Sequence, residues 1–425
     1  MNIFDQLLAD SQIPKFVRVR HEMDHSHIDD IEGAVAQAMR REGTLDRIKP
    51  GDSVCITAGS RDVANIARII RAICDQVKSV GAHPFIIPAM GSHAGAKAEG
   101  QRGIIEGYGV TEEAMGAPIR ASMDTEVIAH SKSGLEIHLD KFANAADFLI
   151  PVGRIKAHTD FRGEVESGIC KMLVIGMGKQ HGAYQCHKLG FKSMAANVKE
   201  FAGAIIEKKP NMFAIGLIEN AYHQTCRIEA IPAGRILAEE PPLLEYAKSR
   251  MAKVPFDQAD ILFVDETGKD ISGAGMDPNV TGRSPVLGIS RPFFQRIAVF
   301  DLTDKSHGNF GGLGSADVTT QRLYRKIDFE QTYPNGITAA EPLAVRLPAV
   351  MPSDRTAMQF ALRTATDCDW EKGPRIVWLK NTLSLSEFYI SEALIPDAEA
   401  LDNVTIVSEP MEVIFDEEGN VKELR

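Results

Sequence analysis

Three loops of the sequence contain side chains that could bind an anion or move a proton. Each loop follows a short apolar run typical of a buried parallel strand, and the loops contain Arg61, His93 and His158 in turn. In an open parallel sheet, ligands bind where the carboxyl ends of the strands converge. A guanidinium can hold a carboxylate through two hydrogen bonds, and imidazoles can act as general acids or bases. The pattern therefore favours a site at which a carboxylate ligand exchanges protons.

Two of these residues also have simpler interpretations. Arg61 lies at the start of a predicted helix that Asp62 opens, where its charge opposes the positive end of the helix dipole. A carboxylate ligand would explain it, and so would a surface ion pair with Asp62. His93 follows the small-residue turn Gly91-Ser92, which would let a ligand approach the backbone, but it could also be a hydrogen-bonded loop residue. Both pairs of alternatives stay open at this point.

The segment from Arg154 to His187 contains the densest group of reactive side chains. It has three histidines (His158, His181 and His187), Lys171 and two cysteines around the small-residue turn Ser167-Gly168. A solvated loop followed by a core strand, with Lys156, Lys171 and Lys179 exposed, is the alternative interpretation.

The elements that position these loops follow a strand, helix, strand order. Spacing of apolar residues predicts a strand at 54–58, a helix that begins at Asp62 and stops at Gly81, and a strand at 83–90. Such a unit belongs to a parallel sheet. The order recurs in a strand at 146–152, a helix at 194–208 and a strand at 212–218, and then in strands at 260–264, 297–300 and 376–378 with helices at 320–327 and 355–365.

The sequence therefore predicts an α/β protein of two domains. Residues 1–255 are predicted to form a doubly wound parallel sheet that holds the catalytic and cofactor residues. Residues 256–425 are predicted to form a second α/β domain that closes the substrate pocket, with the active site in the cleft between the two. The passage between them is placed near residues 250–258, and the glycine-rich stretch 307–314 is interpreted as a surface or cleft loop.

Composition limits the class of protein. A length of 425 residues, 44% hydrophobic and 25% charged, is typical of a globular protein with large cores. The net charge of −11 gives no basic footprint for nucleic acid. No apolar run is long enough for a signal or a membrane span, so a cytoplasmic location is expected. The six cysteines are dispersed and are interpreted as reduced thiols. A homo-oligomer is left open.

Taken together, the motifs resemble those of the lactate racemase family that uses a nickel-pincer nucleotide. That family has an arginine after an early strand, a Gly-Thr-His turn about thirty residues later, and a histidine followed by Ser-Gly-Gly-x-Lys. The matching positions here are Arg61, Gly91-Ser92-His93, His158 and Ser167-Gly168-Ile169-Cys170-Lys171. Their order and spacing agree along about the first 220 residues.

The resemblance implies a cofactor and a role for each residue. Lys171 would carry the nickel-pincer nucleotide covalently through a thioamide, with Ser60, Ser167 and Gly168 in the cofactor site. His187, sixteen residues after Lys171, would ligate nickel, and His181 is the fallback. The cofactor would accept hydride from the α-carbon of a 2-hydroxy acid, while His93 and His158 exchange the hydroxyl proton and Arg61 binds the substrate. Enzymes that synthesise the cofactor are the implied partners, besides the small-molecule substrate.

Two features depart from the family pattern. The interval between His158 and Lys171 is about three residues longer than usual, and Ile169 replaces the second motif glycine. After Gly268-Lys-Asp-Ile271 the lysine that lactate-specific relatives use for substrate is missing. Polar residues of this stretch are predicted to line the pocket instead, which favours a larger or polyhydroxylated acid over lactate. These residues are Asp277, Asn279, Thr281 and Arg283, and a plain turn-rich loop is the alternative.

Two other classes of function remain as alternatives. A relative that has lost the cofactor would act as a carboxylate- or nucleotide-binding protein on the same scaffold. A metal-dependent hydrolase would instead place zinc between His93, His158 and an acid such as Asp160, although these residues are widely spaced.

Overall fold

The predicted apolar runs form strands, and the amphipathic runs between them form helices. The structure is a computed structural model and describes residues 3–59, 63–284, 289, 291–339 and 341–425. The strands, numbered in chain order, are β1 (Phe16–His21), β2 (Ser53–Ala58), β3 (His83–Pro88), β4 (Thr125–His130), β5 (Glu136–Asp140), β6 (Phe148–Ile150), β7 (Val152–Arg154), β8 (Phe213–Glu219), β9 (Thr225–Pro232), β10 (Gln258–Thr267), β11 (Phe293–Leu302), β12 (Val318–Thr320), β13 (Ala349–Met351), β14 (Ile376–Leu379), β15 (Glu387–Ser391), β16 (Val404–Ile406), β17 (Val413–Phe415) and β18 (Val421–Leu424).

The α-helices follow the same numbering scheme. They are α1 (Ile3–Leu8), α2 (Ile31–Ala38), α3 (Ile66–Ser79), α4 (His93–Ala96), α5 (Ala98–Gly107), α6 (Glu112–Met115), α7 (Lys141–Ala145), α8 (Ile169–Lys171), α9 (Lys179–His187), α10 (Phe191–Lys208), α11 (Ile236–Arg250), α12 (Pro278–Thr281), α13 (Gln321–Arg325), α14 (Phe329–Ala339), α15 (Asp354–Thr364) and α16 (Ile395–Glu399). A π-helix, Met172–Gly176, directly continues α8. Among the described residues, no helix is long and apolar enough to cross a bilayer.

The first unit, Asp24–Met251, contains the predicted βαβ arrangement. Strands β3, β2 and β6 pair in parallel, in that order. Successive side chains of a strand point to opposite faces. Accordingly Val54 and Ile56 of β2 pack in a core with α3, while Cys55 packs in another core with α10. Helices thus cover both faces of the sheet, as in a doubly wound domain.

Pro151 divides the predicted strand 146–152 into two short strands. Proline has no N–H for the ladder, so β6 ends before it and β7 begins after it. Strand β6 pairs with β2, and β7 pairs in parallel with β8, which β9 follows in antiparallel. The Val152 N–H donates to Thr57 Oγ1 at 2.8 Å. The carboxyl ends of β2, β3 and β7 therefore carry the three loops identified in the sequence.

Helix α3 begins later than the sequence suggested. The prediction started it at Asp62, which lies outside the described residues. The helix starts at Ile66, after Asn65 in a left-handed conformation with a φ of 61°. Asparagine tolerates that conformation better than most residues. A turn therefore replaces the first part of the helix that the apolar spacing had predicted. The predicted end near Gly81 agrees with a helix that ends at Ser79.

The second unit consists of Met1–Met23 together with Ala252–Arg425. Its eight-stranded sheet has the order β13-β12-β11-β10-β14-β15-β1-β16, in which the first five strands are parallel. The change of unit after Met251 falls within the predicted passage. The assignment of residues 1–23 to the first domain differs from the structure, because β1 pairs antiparallel with β15 and β16. Those partners lie more than 360 residues away, beyond the reach of local patterns.

The glycine-rich stretch 307–314 is largely buried, where a surface or cleft loop was expected. Gly312 has a φ of 103°, and a β-carbon there would lie 1.6 Å from the Ala274 carbonyl oxygen. The neighbouring Phe310 and Leu313 are in the core of the second unit. The glycines thus serve close packing of the loops that follow β10 and β11.

A buried carboxyl in the second unit should make stability depend on pH. Asp265 accepts a hydrogen bond from Trp378 Nε1 at 2.5 Å, and burial, the largest cause, raises its pKa to about 7. A carboxyl whose pKa is higher in the folded than in the unfolded state stabilises the fold at low pH, and this contribution disappears as the pH rises through the folded pKa.

The substitution Asp265→Asn should therefore be more favourable for stability, relative to wild type, at pH 8 than at pH 5. The free energy of unfolding of the variant, relative to wild type, should rise by about 3 kcal/mol between these pH values. Urea unfolding at both pH values measures the change. Asp402→Asn, at an exposed site, is the control and should show no such change. An equal response of the two variants would contradict the assignment of a shifted pKa to Asp265.

Candidate active site

Lys171 sits at the junction of α8 and the π-helix. The chain leaves β7, makes an excursion and returns at Ser167, whose carbonyl accepts the Lys156 N–H at 3.0 Å. The helical turn begins immediately, since the Met172 N–H donates to the Gly168 carbonyl at 3.0 Å. The excursion between Lys156 and Ser167 carries His158 and accommodates the additional residues noted in the sequence.

His158 and Lys171 are in direct contact. His158 Nε2 lies 2.5 Å from Lys171 Nζ. The ring is 9% exposed and packs on Phe161, with ring centroids 4.2 Å apart. Its Nδ1 accepts the backbone N–H of Asp160 at 2.9 Å. Burial foremost, and then nearby positive charge led by Lys171, holds the pKa of His158 well below its usual value, so the ring is neutral at neutral pH.

A buried carboxylate fixes the backbone that carries His158. Glu166 Oε2 accepts the His158 N–H at 2.7 Å and an N–H of Arg162 at 3.3 Å. Its other oxygen forms an ion pair with Lys248 at 3.0 Å. Charged partners make such hydrogen bonds stronger than neutral ones. Sequence analysis missed Glu166, because the local sequence around a buried glutamate does not differ from that around an exposed one.

A second buried carboxyl, Glu240, holds the start of α8. Its Oε2 accepts the Cys170 N–H at 2.9 Å, and burial raises its pKa. Its Oε1 has no hydrogen-bond partner among the described residues and lies against Gly168. A β-carbon at Gly168 would be 2.0 Å from that oxygen. The motif glycine is therefore required by a close approach, which explains the Ser-Gly step before Lys171.

Gly168→Ala should displace the turn that positions Lys171. Overpacking in a buried site costs about 1 to 3 kcal/mol, and both Glu240 and Ile155 would have to move. Urea unfolding should show a loss of that size. The control is Gly103→Ala in α5, where no atom lies within 4 Å of the new β-carbon; it should be neutral or stabilising. A Gly168 variant as stable as its control would contradict the tight contact.

His187 lies at the end of α9 with one ring nitrogen already used. Its Nδ1 donates to the Ala183 carbonyl at 2.6 Å, and burial, the largest cause, lowers its pKa. A neutral ring with its proton on Nδ1 presents a lone pair at Nε2, and metal-binding histidines commonly have their other nitrogen fixed in this way.

His158, Lys171 and His187 form one electrostatic cluster. The charge of Lys171 contributes to lowering the pKa of His187, and a charge on His187 contributes to lowering the pKa of His158. Such mutual effects require proximity. His181, the fallback metal ligand, is exposed, and its ring stacks on His138 with centroids 5.6 Å apart. Six positions separate it from His187 on a helix of 3.6 residues per turn, so the two point in different directions.

The loop of His93 rests on the same helices. The Gly91 N–H donates to the Gly176 carbonyl of the π-helix at 3.4 Å. A β-carbon on Gly91 would lie 3.8 Å from Ala183, the residue that accepts the His187 hydrogen bond. The side-chain amide of Gln101 donates to the carbonyls of Gly91 at 2.8 Å and His93 at 3.2 Å. His93 is exposed at the start of α4, two residues after Gly91.

A buried ion pair joins three segments of the first unit. Lys179, the first residue of α9, is fully buried and lies 3.2 Å from Asp140 Oδ2. It also donates to the carbonyl of Pro88, the last residue of β3. Burial raises the pKa of Asp140 and lowers that of Lys179. The interpretation of Lys179 as an exposed lysine is wrong, because its ammonium ties the end of β3 and the start of α9 to β5.

Arg61 and Ser60 lie outside the described residues, but the chain next to them is anchored at the same sheet edge. The Ala64 N–H donates to Glu219 Oε1 at 2.8 Å. The other oxygen of Glu219 accepts a hydrogen bond from Arg154 at 2.6 Å. Glu219 thus links the loop after β2 to the ends of β7 and β8. The predicted roles of Arg61 in substrate binding and of Ser60 in cofactor binding stay predictions.

The predicted substrate-pocket residues belong to the second unit and have local partners there. Asp277 accepts hydrogen bonds from the backbone and side-chain N–H groups of Asn279 at 2.9 and 2.7 Å, which caps α12. Thr281 is buried. Arg283 pairs with Asp317 at 2.5 Å and donates to three backbone carbonyls. These contacts are those of the turn-rich alternative, and pocket lining by these residues stays a prediction.

A conventional metal site is not formed by the part of the chain that the structure describes. No three His, Cys, Asp or Glu side chains converge there on a common point, whereas a catalytic zinc needs three protein ligands. The hydrolase alternative with His93, His158 and Asp160 lacks that arrangement. The nickel-pincer nucleotide that the sequence resemblance implies would need one imidazole ligand, for which His187 Nε2 is suited.

Comparison with known proteins gives one family-model match and one structural likeness. Residues 4–198 match the model of the lactate racemase N-terminal domain, and His93, His158, Lys171 and His187 all lie in that range. The structure resembles the lactate racemase apoprotein of Thermoanaerobacterium thermosaccharolyticum, with a TM-score of 0.52 and 15% sequence identity over 86% of this chain and 93% of that chain. This likeness shows a common fold.

A weaker likeness is to a crystal structure of a Thermotoga maritima protein. It has a TM-score of 0.44 and 11% identity over 83% of this chain and 87% of that one, too little to carry an argument. No curated protein matches the sequence of this chain. Residues 4–198 are thus similar to the lactate racemase N-terminal domain, and the chain has a mixed α/β fold like that of the lactate racemase apoprotein.

Proposed function

We propose that this chain is a racemase or epimerase of a 2-hydroxy acid that works with a nickel-pincer nucleotide attached to Lys171. The observation that carries the proposal is the cluster of Lys171, His158 and His187 within the family-matched residues. The bound cofactor would supply a hydride acceptor for the substrate α-carbon. Lys171 would hold it, and His187 Nε2 would ligate its nickel.

Proton transfer is assigned to the histidines. Burial foremost holds the pKa of His158 well below its usual value, so the ring is neutral and can take the hydroxyl proton as a general base. His93, on the loop after β3, is the second acid/base for the opposite face of the planar keto acid. Arg61 binds the substrate carboxylate. Each histidine serves as base in one direction and as acid in the other.

The substrate is proposed to be a larger or polyhydroxylated 2-hydroxy acid. The lysine that lactate-specific relatives use after the Gly-x-x-Lys-Asp-Ile turn is missing, and the residues after Ile271 are small or polar. A pocket built for hydrogen bonds rejects substrates that leave its groups unpaired. Sugar acids therefore fit the proposal better than lactate does.

A panel of single-enantiomer 2-hydroxy acids, deuterated at the α-carbon and including sugar acids, tests this function. Protein co-expressed with the cofactor-synthesis enzymes should interconvert the stereoisomers of at least one acid, and the product should retain the deuterium. His158→Gln should abolish the reaction, while His130→Gln, at an exposed site, should not affect it. Loss of deuterium to water would refute hydride transfer. Inactivity of nickel-loaded protein towards the whole panel would favour a binding protein.

A further inference from the structure

The backbone that follows His93 is strained. Ala94 and Ala96 both have a φ of 54°, in the left-handed region, and two glycines of the same loop, Gly91 and Gly95, have a φ of 62°. Glycine adopts this conformation freely, whereas an alanine is disfavoured there by about tenfold. Because two alanines of one short loop are strained, contacts from other parts of the chain must hold the loop in place.

The side chain of Gln101, in the first turn of α5, makes such a contact. Its Nε2 donates one N–H to the Gly91 carbonyl at 2.8 Å and the other to the His93 carbonyl at 3.2 Å. An amide nitrogen has two N–H groups, so both are used on the loop. By comparison, the His93 nitrogen and the Met90 carbonyl oxygen are 3.3 Å apart, which is long for a backbone hydrogen bond. Gln101 therefore holds the backbone on both sides of Ser92.

The contact of Gln101 has a cost for the fold. The side chain is fully buried, and its Oε1 has no hydrogen-bond partner among the described residues. A buried oxygen without a partner is destabilising. Turning the amide over would point Oε1 at the two carbonyls, which can only accept, so the oxygen cannot replace the nitrogen at the loop. The gain from the two donors comes together with the loss from the oxygen, which favours a role beyond packing.

Helix α5 also contacts the loop at the residue before Gln101. A β-carbon on Gly100 would lie 2.9 Å from the β-carbon of Ala94 and 3.2 Å from its carbonyl oxygen. Carbon atoms in van der Waals contact are usually about 3.5 to 4.0 Å apart. The strained residue Ala94 thus packs directly on the backbone of α5, and the place of the loop depends on two neighbouring residues of that helix.

We propose that Gln101 is a positioning residue for proton transfer: its side-chain amide holds the strained loop and thereby fixes the place of His93. The part of this inference that concerns the loop is independent of any reaction. The part that concerns catalysis rests on the proposed function, in which His93 exchanges a proton with the substrate. Two separate measurements address the two parts.

Hydrogen exchange of the cofactor-free protein tests the hold of Gln101 on the loop. Gln101→Met keeps the length of the side chain and removes both donors. Loss of two hydrogen bonds should speed exchange in the peptide 90–97 by at least about tenfold, as measured by mass spectrometry, while the peptide 66–79 of α3 should change less. Gln37→Met, at an exposed site of α2, is the matched control and should leave exchange of the loop unchanged.

A second variant disturbs the loop without changing Gln101. The methyl group of Gly100→Ala must displace Ala94, so exchange of the peptide 90–97 should again become faster, although alanine favours helix formation. Gly103→Ala lies in the same helix, with no atom within 4 Å of the new β-carbon. This control should leave exchange of the loop as in wild type.

Steady-state kinetics of the cofactor-loaded protein tests the role in catalysis, with an acid of the panel that wild type isomerises. Gln101→Met should lower kcat by about ten- to a hundredfold and leave KM nearly unchanged, because a displaced acid/base weakens the transition state rather than substrate binding. Adding Ala94→Gly should restore part of kcat, since glycine adopts the left-handed conformation without strain. Adding Ala36→Gly in α2 instead should restore none.

The two measurements separate the failure of this inference from that of the proposed function. Unchanged exchange of the peptide 90–97 in both Gln101→Met and Gly100→Ala would overturn the inference, whether or not the chain isomerises an acid. A wild type that is inactive towards the whole panel would overturn the proposed function, and the exchange rates would still decide whether Gln101 holds the loop. Faster exchange in Gln101→Met with an unchanged kcat would overturn its role as a positioning residue.

Discussion

Lys171→Ala should eliminate both the covalent adduct and the isomerisation of hydroxy acids. The amine is the attachment atom in the proposed function, and alanine leaves no nucleophile beside His158. Loss of a group on which the chemistry depends lowers activity by at least about a thousandfold. Initial rates of stereoisomer interconversion, followed by chiral chromatography, measure the loss.

The matched control removes a lysine that has no role in the site. Lys208→Ala, on the exposed side of α10, should retain the adduct and full activity. The Lys171 variant should unfold at the same urea concentration as wild type within the error, since the lysine is only partly buried. Undiminished racemisation by a folded Lys171→Ala protein would show that the chemistry does not depend on this residue.

Lys179→Met should be the most destabilising single change in the first unit. It removes one partner of the fully buried pair with Asp140 and leaves the carboxylate without its counter-charge. Breaking a buried ion pair in this way costs about 3 to 5 kcal/mol. Lys179 also has a left-handed backbone, with a φ of 54°, which is costly for a side chain of this kind and which the pair helps to hold. Urea unfolding measures the loss.

Two further variants test whether the loss comes from the unpaired charge. Asp140→Asn combined with Lys179→Met removes both charges and should recover part of the stability, since buried pairs can be replaced by neutral groups at a small cost. Lys199→Met breaks an exposed pair with Glu164 and should cost less than about 1 kcal/mol. If the double variant loses more free energy of unfolding than the two single variants lose together, the broken pair is not the cause of the loss.

Much of the fold follows from local patterns, but pairing at long range does not. The run Val54 to Ala58 and the apolar face of α3 gave the βαβ unit because burial on both sheet faces leaves a visible periodicity. The sequence of β1 did not indicate its partner strands, because the backbone groups at the edges of a strand are the same whichever strand it pairs with. Asn65 shifted the start of α3 through its left-handed conformation, and Pro151 divided a predicted strand because it has no N–H. The spacing of apolar residues indicates neither effect.

The candidate site was predictable where a motif carried it. Lys171, His158 and His187 came from order and spacing, and the structure brings them together. Glu166 and Glu240 were missed, since a buried carboxylate differs from an exposed one only in its three-dimensional partners. The alternative interpretation of Lys179 as exposed was wrong, because the burial of a lysine also depends on its three-dimensional partners. The polar loop at Asp277 and Arg283 shows the converse, because side chains suited to a ligand are engaged by their own backbone.

The measurement that tests the account most directly is the intact mass and nickel content of the protein co-expressed with the cofactor-synthesis enzymes. The account predicts a mass increase that peptide mapping places on Lys171, with about one nickel per chain. His187→Ala should keep the mass increase and lose the nickel, while His181→Ala should keep both. An unmodified Lys171 and no bound nickel in folded wild-type protein, obtained from cells that load a known lactate racemase, would contradict the account.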